Sequence, residues 1–472
     1  MKEKLISIVK NFSYSLSSNL ISLIISTLVV LVVPRIIGVE DYGFWQLYLF
    51  YSSYIGFLHF GWNDGIYLRY GGEEYDDLDK PVFFSQFYSL LFLQIILALL
   101  ISIFSFNLIN DGDRLFILQI IAIEIVVVNT RYMLMFILQA TNRIKDYSKI
   151  TILDRLLYVS LIIFLLIFGV SNYKLLIVSD LIGKTASFFV AMYLCKDIVF
   201  RRVSDFKNTF DETVKNINVG IKLMFSNIAN NLVIGVVRFG IERNWSVAVF
   251  GQISLTLSVS NMFLMFINAL GLVIYPILRR INQNSLAKVY SVMRDLLMAF
   301  VIGILIFYMP IKIVLSQWLP QYAESLNYMA MLFPIMIYQS KMSLLINTYM
   351  KALRYEKRLL QINIITMVFS FILTFISTSM MDNLDLAILS IVMLMAFRGI
   401  ASELYLSSTL NINVIKDILL ELMMAVIFIY TAWVINSWMT PLIYGAFYIV
   451  YLLIKRNDLK ESADYIVRIL KS

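Results

Sequence analysis

Fourteen apolar runs follow one another along the 472-residue chain. Each is close to the ~20 residues an α-helix needs to cross the hydrocarbon core of a bilayer. They lie at 12–34, 42–60, 82–106, 115–140, 148–169, 173–195, 218–239, 246–275, 289–314, 325–350, 359–379, 385–408, 414–434 and 438–454. Runs of this length exclude an ordinary soluble fold. Composition agrees, with 60% hydrophobic and 15% charged residues, where soluble domains carry about 25% charged. Helices are expected rather than strands, because lipid offers the backbone no hydrogen-bond partner. The sequence therefore predicts an all-α integral membrane protein of about fourteen spans. A single cysteine, Cys195, excludes a disulfide scaffold, and a single histidine, His59, excludes a multi-histidine metal site. No metal and no nucleic-acid partner is expected.

Lys and Arg in the loops set the expected orientation. With the N-terminus inside, 26 of the 39 basic residues fall in cytoplasmic loops and tails, four in external loops and nine at membrane depth. Both termini are then cytoplasmic. The start of the chain lacks a small-residue cleavage site before the apolar run, so the first span reads as a signal anchor. External loops are too short for a folded domain. The D-x-D pairs at Asp77-Leu78-Asp79 and Asp111-Gly112-Asp113 read as solvated turns.

The chain also repeats. At an offset of 208, Ser18-Asn19 matches Ser226-Asn227, Ser22 matches Asn230, Arg35 matches Arg243 and Gly43 matches Gly251. After a further three-residue shift, Asn142-Arg143-Ile144-Lys145 falls near Leu353–Lys357. Six spans thus repeat as six, in the same orientation, which is the parallel type of transporter repeat. The expected division is an N-lobe over 1–195, a cytoplasmic linker at 196–217, a C-lobe over 218–408, and spans 13 and 14 with a cytoplasmic tail over 409–472.

Ionisable residues at membrane depth are costly, so they are the candidate functional residues. The basic set is Arg131, Arg155, Lys184, Lys222, Arg238, Arg294, Lys312, Lys341 and Arg398; the acidic set is Glu124, Asp154, Asp180, Asp295, Glu403 and Glu421. Asp180 and Lys184 are four apart and can pair along one helix. Arg294, Asp295 and Lys312 lie near span ends, where long stems can snorkel. Arg131, Lys341 and Arg398 lie deep, and the first two occupy equivalent places in the repeat. A cationic cavity would draw on these three with Lys222, Arg238, Arg155 and Lys184, and it suits an anionic cargo such as a phosphate. Glu124, Asp154, Asp180, Glu403 and His59 are the candidates for pairing or ion coupling. Polar stripes mark spans 1 and 7: Asn11, Ser15, Ser18, Asn19, Ser22 and Ser26 on one, Lys222, Ser226, Asn227, Asn230 and Asn231 on the other.

The stretch PRIIGVEDYGFWQLYLFYSSYIGFLHFGWNDGIYLRYGG resembles polysaccharide flippases of the multidrug/oligosaccharidyl-lipid/polysaccharide exporter superfamily. Pro34, Gly38, Tyr42 and Gly43 carry the likeness after span 1; Gly61, Gly65, Arg69 and Tyr70 carry it after span 2. The resemblance implies two lobes in a V around a cationic cavity. It implies a bacterial inner-membrane protein that flips undecaprenyl-diphosphate-linked oligosaccharide to the outer leaflet for O-antigen, capsule or exopolysaccharide. Polymerase and chain-length proteins of that pathway are the implied partners, beside the bilayer. No cofactor is implied, and without a G-x-x-x-x-G-K-[ST] loop an ion gradient or the membrane potential is left as the energy source. Lipid II flippases of this superfamily carry a charged pair early in helix 1, where this chain has only Asn and Ser. Two alternatives stand beside this reading. One is a drug or other lipid-linked-substrate exporter of the same superfamily. The other is a membrane polysaccharide polymerase or glycosyltransferase, which would need a larger external loop.

Overall fold

The structure is a computed structural model that describes residues 2–170, 172–202, 209–278 and 285–471. Among these the ordered elements are helices, with no strand. The first part of the chain forms α1 (Lys2–Ile36), α2 (Val39–Ser52), α3 (Trp62–Arg69), α4 (Lys80–Leu108), α5 (Gly112–Ala140), α6 (Ile144–Ile167), α7 (Tyr173–Leu194) and the single-turn α8 (Lys196–Val199). Then come α9 (Phe210–Asn244), α10 (Val247–Leu278), α11 (Leu286–Ile304), α12 (Tyr308–Trp318), α13 (Met329–Leu332), α14 (Ile335–Lys341) and α15 (Asn347–Ala352). The chain closes with α16 (Glu356–Thr374), α17 (Leu384–Leu410), α18 (Ile415–Ile429), α19 (Met439–Ile454) and α20 (Arg456–Lys471).

Each of the fourteen apolar runs falls on helix. Among the described residues, ten helical stretches are long and apolar enough to span a bilayer unbroken, and one bent pair, Ser325–Leu332 with Ile335–Ala352, adds an eleventh. The chain is a multi-pass membrane protein. Three runs expected to be single helices are interrupted, the ninth only by a 3-10 turn at Leu305–Phe307 between α11 and α12. The second stops at Ser52, passes through a 3-10 turn at Ile55–His59, and restarts as α3. Phe60 (φ 55°) and Gly61 (φ 80°) make that turn in the left-handed region, which a glycine enters freely. As a result residues 62–69, read from sequence as loop, are helical. The tenth run is broken at Pro334, which lacks the N–H needed to continue a helix, and a π segment, Met342–Ile346, then separates α14 from α15. The tail read as a cytoplasmic extension is the amphipathic helix α20. It packs on α11 and pairs with it through Lys288 and Glu461 at 2.9 Å.

Helix boundaries reproduce the repeat. α1 ends at Ile36 and α9 at Asn244, and α2 starts at Val39 and α10 at Val247, each 208 apart. The second register is 212, one residue beyond the shift read from the matched residues. Asn142 (φ 60°) and Arg354 (φ 62°) take the same left-handed position after α5 and α15. In both, the next amide reaches back to close the helix end: Arg143 N to Leu138 O at 2.8 Å, and Tyr355 N to Met350 O at 2.7 Å. The geometric cap therefore aligns Asn142 with Arg354, where side-chain identity had aligned the two arginines.

The chain divides into two compact units, Met1–Ile228 and Ala229–Ser472, with the boundary inside α9. In the first, α5 is the central helix, packed by α2, α3, α4, α6 and α7. Trp62, Phe83, Phe87, Leu134, Leu138 and Cys195 belong to its apolar core. The outer face of α4 leaves Phe92, Leu99, Ile103, Phe104 and Phe106 exposed, as a lipid-facing helix does. In the second unit α17 packs on α13, α14 and α16, and α10 on α13 and α14. Tyr308, Phe428 and Tyr444 stack edge to face there, with ring centroids 5.4 and 5.3 Å apart.

Candidate functional site

In the first unit, charged side chains from α5, α6 and α7 converge beside the break in the second span. They border a cavity of about 260 Å3 lined by Ser52, Ser53, Gly56, Glu124, Arg131, Tyr132, Arg155, Asp180 and Lys184, with Leu49 and Val128. The i,i+4 pair expected on α7 is present, Lys184 Nζ lying 2.5 Å from Asp180 Oδ2. Lys184 also contacts Glu124 Oε1 and donates to Ser52 Oγ at 3.1 Å. Tyr48 donates to Asp180 Oδ2 at 2.7 Å, and Ser52 to Glu124 Oε1 at 2.5 Å. Two turns beyond Glu124 on α5, Arg131 Nη1 donates to Asp154 Oδ2 at 2.8 Å and to Ser187 Oγ at 2.5 Å. Arg155 completes the set, with the charges of Asp154 and Asp180 acting on it. Gly183 lets α6 and α7 come this close, since a Cβ there would stand 2.9 Å from the Asp154 carbonyl oxygen.

The charge of this group is balanced: Glu124, Asp154 and Asp180 against Arg131, Arg155 and Lys184. Hydrogen bonding is incomplete. Glu124 Oε2, Arg131 Nε and Asp154 Oδ1 are buried without a partner. Buried polar atoms carry a desolvation cost unless something satisfies them, and the adjoining cavity has room for water or a small polar ligand.

The second unit holds a denser cluster. Arg294 on α11 reaches Glu403 on α17 (2.5 Å), Glu421 (2.8 Å) and Asp417 (2.9 Å), the last two on α18. Lys341, at the end of α14, contacts Glu403 and lies 2.5 Å from Glu421. Tyr290 donates to Glu403 Oε1 at 3.2 Å. Lys455 extends the network to Asp295 (2.8 Å), Asp417 (2.8 Å) and Asp458 (2.7 Å). Burial alone would lower the Lys455 ammonium, but its three carboxylates hold it above the usual lysine range. Arg294 and Asp295 are thus buried in a network and do not snorkel. Asp417 and Lys455 were missed because they lie at loop edges in the sequence; the four-residue spacing of Asp417 and Glu421 on α18 was the available signal.

The remaining basic side chains differ. Arg238 donates to Ser254 Oγ at 2.9 Å and stacks over Phe250, and Lys312 donates to Asn436 Oδ1 at 2.5 Å. Arg398, in the middle of α17, is 5% exposed and its Nε has no partner. Ser402, one turn further along, also has a buried hydroxyl without one. Lys222 is exposed on α9. Among the described residues neither Arg398 nor Lys222 has a counter-charge. On the same helix Asn227 and Asn231 are exposed and Ser226 and Asn230 half-buried, a polar stripe along an apolar span. On α1, Asn19 is exposed and Ser22 and Ser26 are half-buried; the side chains of Asn11, Ser15 and Ser18 lie outside the described residues.

His59 is buried at the break in the second span, where its Nδ1 accepts from Gly61 N at 3.1 Å and its Nε2 is 3.7 Å from Asp64. Pro34 is in the last turn of α1, Gly38 caps α2, and Tyr42 and Gly43 are buried in α2, where Gln46 donates to the Tyr42 hydroxyl at 2.8 Å. Gly61, Gly65 and Arg69 meet the first part of α9.

Compared with solved structures, the chain is similar to the lipid II flippase MurJ in an inward closed conformation. The TM-score is 0.65 at 14% identity, covering 95% of this chain and 99% of that one. It is similar to an inward-facing multidrug resistance MATE family transporter of the MOP superfamily (TM-score 0.61, 15% identity, 83% and 98% covered) and to a MATE in complex with MaD5 (0.51, 14%, 85% and 96%). No protein-family model and no curated protein matches the chain. It has the fold shared by this flippase and these transporters.

Proposed function

On this fold we propose that the chain is an inner-membrane transporter, with both termini cytoplasmic, that moves a polyprenyl-diphosphate-linked glycan to the outer leaflet by alternating access. The carrying observation is the sign of the charge left over at membrane depth. Arg131, Lys184 and Lys341 are paired with carboxylates, whereas Arg398 and Lys222 have none among the described residues. A carrier of cations would leave carboxylates over. An unpaired arginine buried at membrane depth is costly, and a phosphate that binds it through two parallel hydrogen bonds supplies the missing counter-charge. The glycan is polar and suits the stripe of Asn and Ser on α9, while the prenyl tail can stay in lipid. The cavity beside Lys184, with its unsatisfied Glu124 and Asp154 oxygens, suits a coupling proton.

The test uses a strain lacking the native protein, complemented at matched expression. Arg398→Gln is expected to reduce surface polysaccharide at least tenfold while the protein still reaches the membrane. Arg398→Lys should restore part of it, because lysine keeps the charge and loses the planar fork. Full display with Arg398→Gln and Lys222→Gln combined would refute the anionic head group. Resistance to cationic dyes conferred by the wild type would favour the drug exporter instead.

A further inference from the structure

Within the first unit α4 and α5 pack side by side, yet they part over two turns. Ile95, Ala98 and Leu99 of α4 and Ala122, Ile123 and Val127 of α5 line a groove of about 340 Å3 between them. Its two walls share one pattern. Ile95, Ala98, Leu99 and Ser102 follow the i, i+3, i+4, i+7 spacing of a single helix face, and so do Gln119, Ala122, Ile123 and Val126. The gap has a plain cause: each wall carries an alanine where a longer side chain would fill it. Ala122 is buried at the floor, while Leu99 and Ile123 are exposed at the rim. The polar end of the groove is closed on itself. Ser102 donates to Gln119 Oε1 at 2.5 Å, and Gln119 Nε2 donates to Ser105 Oγ at 2.8 Å and to the Ser102 carbonyl at 3.2 Å. This sets it apart from the cavity beside Lys184, where Glu124 Oε2 and Asp154 Oδ1 lack partners. Ser102 and Gln119 lie about 10 Å in from the ends of α4 and α5, so the groove sits at acyl-chain depth.

We propose that this groove holds one acyl chain of a membrane phospholipid, which completes the packing of α4 against α5. Three observations carry the choice of ligand. The walls make no polar demand, so water has nothing to bind there, and an empty groove forfeits dispersion contacts along both walls. The medium outside it is hydrocarbon, since Phe92, Leu100, Ile103 and Phe104 are exposed around it on a helix that spans the bilayer. Phospholipid chains are therefore what faces the opening. The nearest charges are matched to one another: Asp111 lies 3.3 Å from Arg114, and Asp113 2.7 Å from Lys174. The groove thus selects a chain and not a head group. The inference rests on the protein spanning a membrane, and not on its cargo.

The test starts from the full-length wild-type protein reconstituted in phospholipid vesicles. The probe is a phosphatidylcholine with a diazirine on one acyl chain, and the labelled residues are mapped by mass spectrometry after photolysis. Labelling at Leu99 and Ile123 is expected to exceed that at Phe92 and Phe104 at least threefold, although all four are comparably exposed. The two phenylalanines flank Leu99 on either side in depth, so depth alone cannot produce the excess. Equal labelling at the four positions would overturn the site and leave only ordinary surrounding lipid. Ala98→Leu fills the groove and should abolish the excess while Phe92 and Phe104 label as before; an excess that survives it would overturn the groove as its source. A phosphatidylglycerol with the same labelled chain should give the same pattern, and an excess confined to one head group would overturn selection by the chain. A small fraction of polyprenyl phosphate that erases the excess would overturn phospholipid as the occupant and assign the groove to a prenyl tail. In detergent, added phospholipid is expected to raise the thermal midpoint of the wild type by roughly 3 °C more than that of Ala98→Leu. An equal rise in both would overturn the packing role.

Discussion

Lys341→Met is expected to remove most of the folded protein from the membrane. Lys341 is fully buried and bridges Glu403 and Glu421. Without it, Arg294 alone faces both carboxylates, and one buried negative charge is left uncompensated. Breaking a buried pair in this way costs roughly 3–5 kcal/mol. That is a large share of the ~5–15 kcal/mol that stabilises an ordinary domain. Neutralising a partner as well, in Lys341→Met with Glu421→Gln, removes the stranded charge and should recover much of the loss. The measurement is the thermal midpoint and monodispersity of the detergent-solubilised protein, with membrane abundance alongside. A single variant as stable as the wild type would show that the cluster is hydrated and not a structural joint.

The spans were legible because hydropathy acts over ~20 residues and needs no knowledge of partners. The repeat was legible for a related reason, since Arg35 and Arg243 close equivalent helices at equal spacing. The interruptions were harder to see. Phe60 and Gly61 bend the second span through left-handed backbone, yet the run that leads up to them is as apolar as that of an unbroken helix. The ion pairs divide by sequence separation. Asp180 with Lys184 is a matter of helical period. Glu124 with Lys184, 60 residues apart, and Arg294 with Glu421, 127 apart, depend on which helices become neighbours. No local pattern carries that information.

The same division explains what became of the basic set. From sequence, nine basic side chains at membrane depth against six acidic ones describe a cationic interior. In the structure most of that charge is cancelled side chain by side chain within each unit. The excess resides in a few groups, of which Arg398 is the most deeply placed. Depth alone had ranked Arg131, Lys341 and Arg398 together. What separates them is the presence of Asp154 beside Arg131 and of Glu403 and Glu421 beside Lys341. For binding an anion, the absence of a competing carboxylate counts for more than depth, because a phosphate must otherwise displace one.

Lys184 gives the sharpest prediction about the first unit. Its spacing from Asp180 suggests a simple pair, in which removing both charges would be tolerated better than removing either. The structure adds Glu124, which shares the same ammonium and the hydroxyl of Ser52. Lys184→Met therefore strands two buried carboxylates and should be the most damaging single change, at roughly 3–5 kcal/mol. The double variant Asp180→Asn with Lys184→Met still strands Glu124, whose Oε2 already lacks a partner, and should remain clearly less stable than the wild type. Only the triple variant, adding Glu124→Gln, leaves no carboxylate facing the missing ammonium; Arg131 and Arg155 then share Asp154, and it should recover a clear part of the stability that the double variant loses. A double variant as stable as the triple would remove Glu124 from the network. Surface polysaccharide from the triple variant then separates two roles. Display near wild type would mean that these charges serve only the fold, whereas a stable protein that no longer supports display would mean that Glu124, Asp180 and Lys184 act in the transport cycle itself.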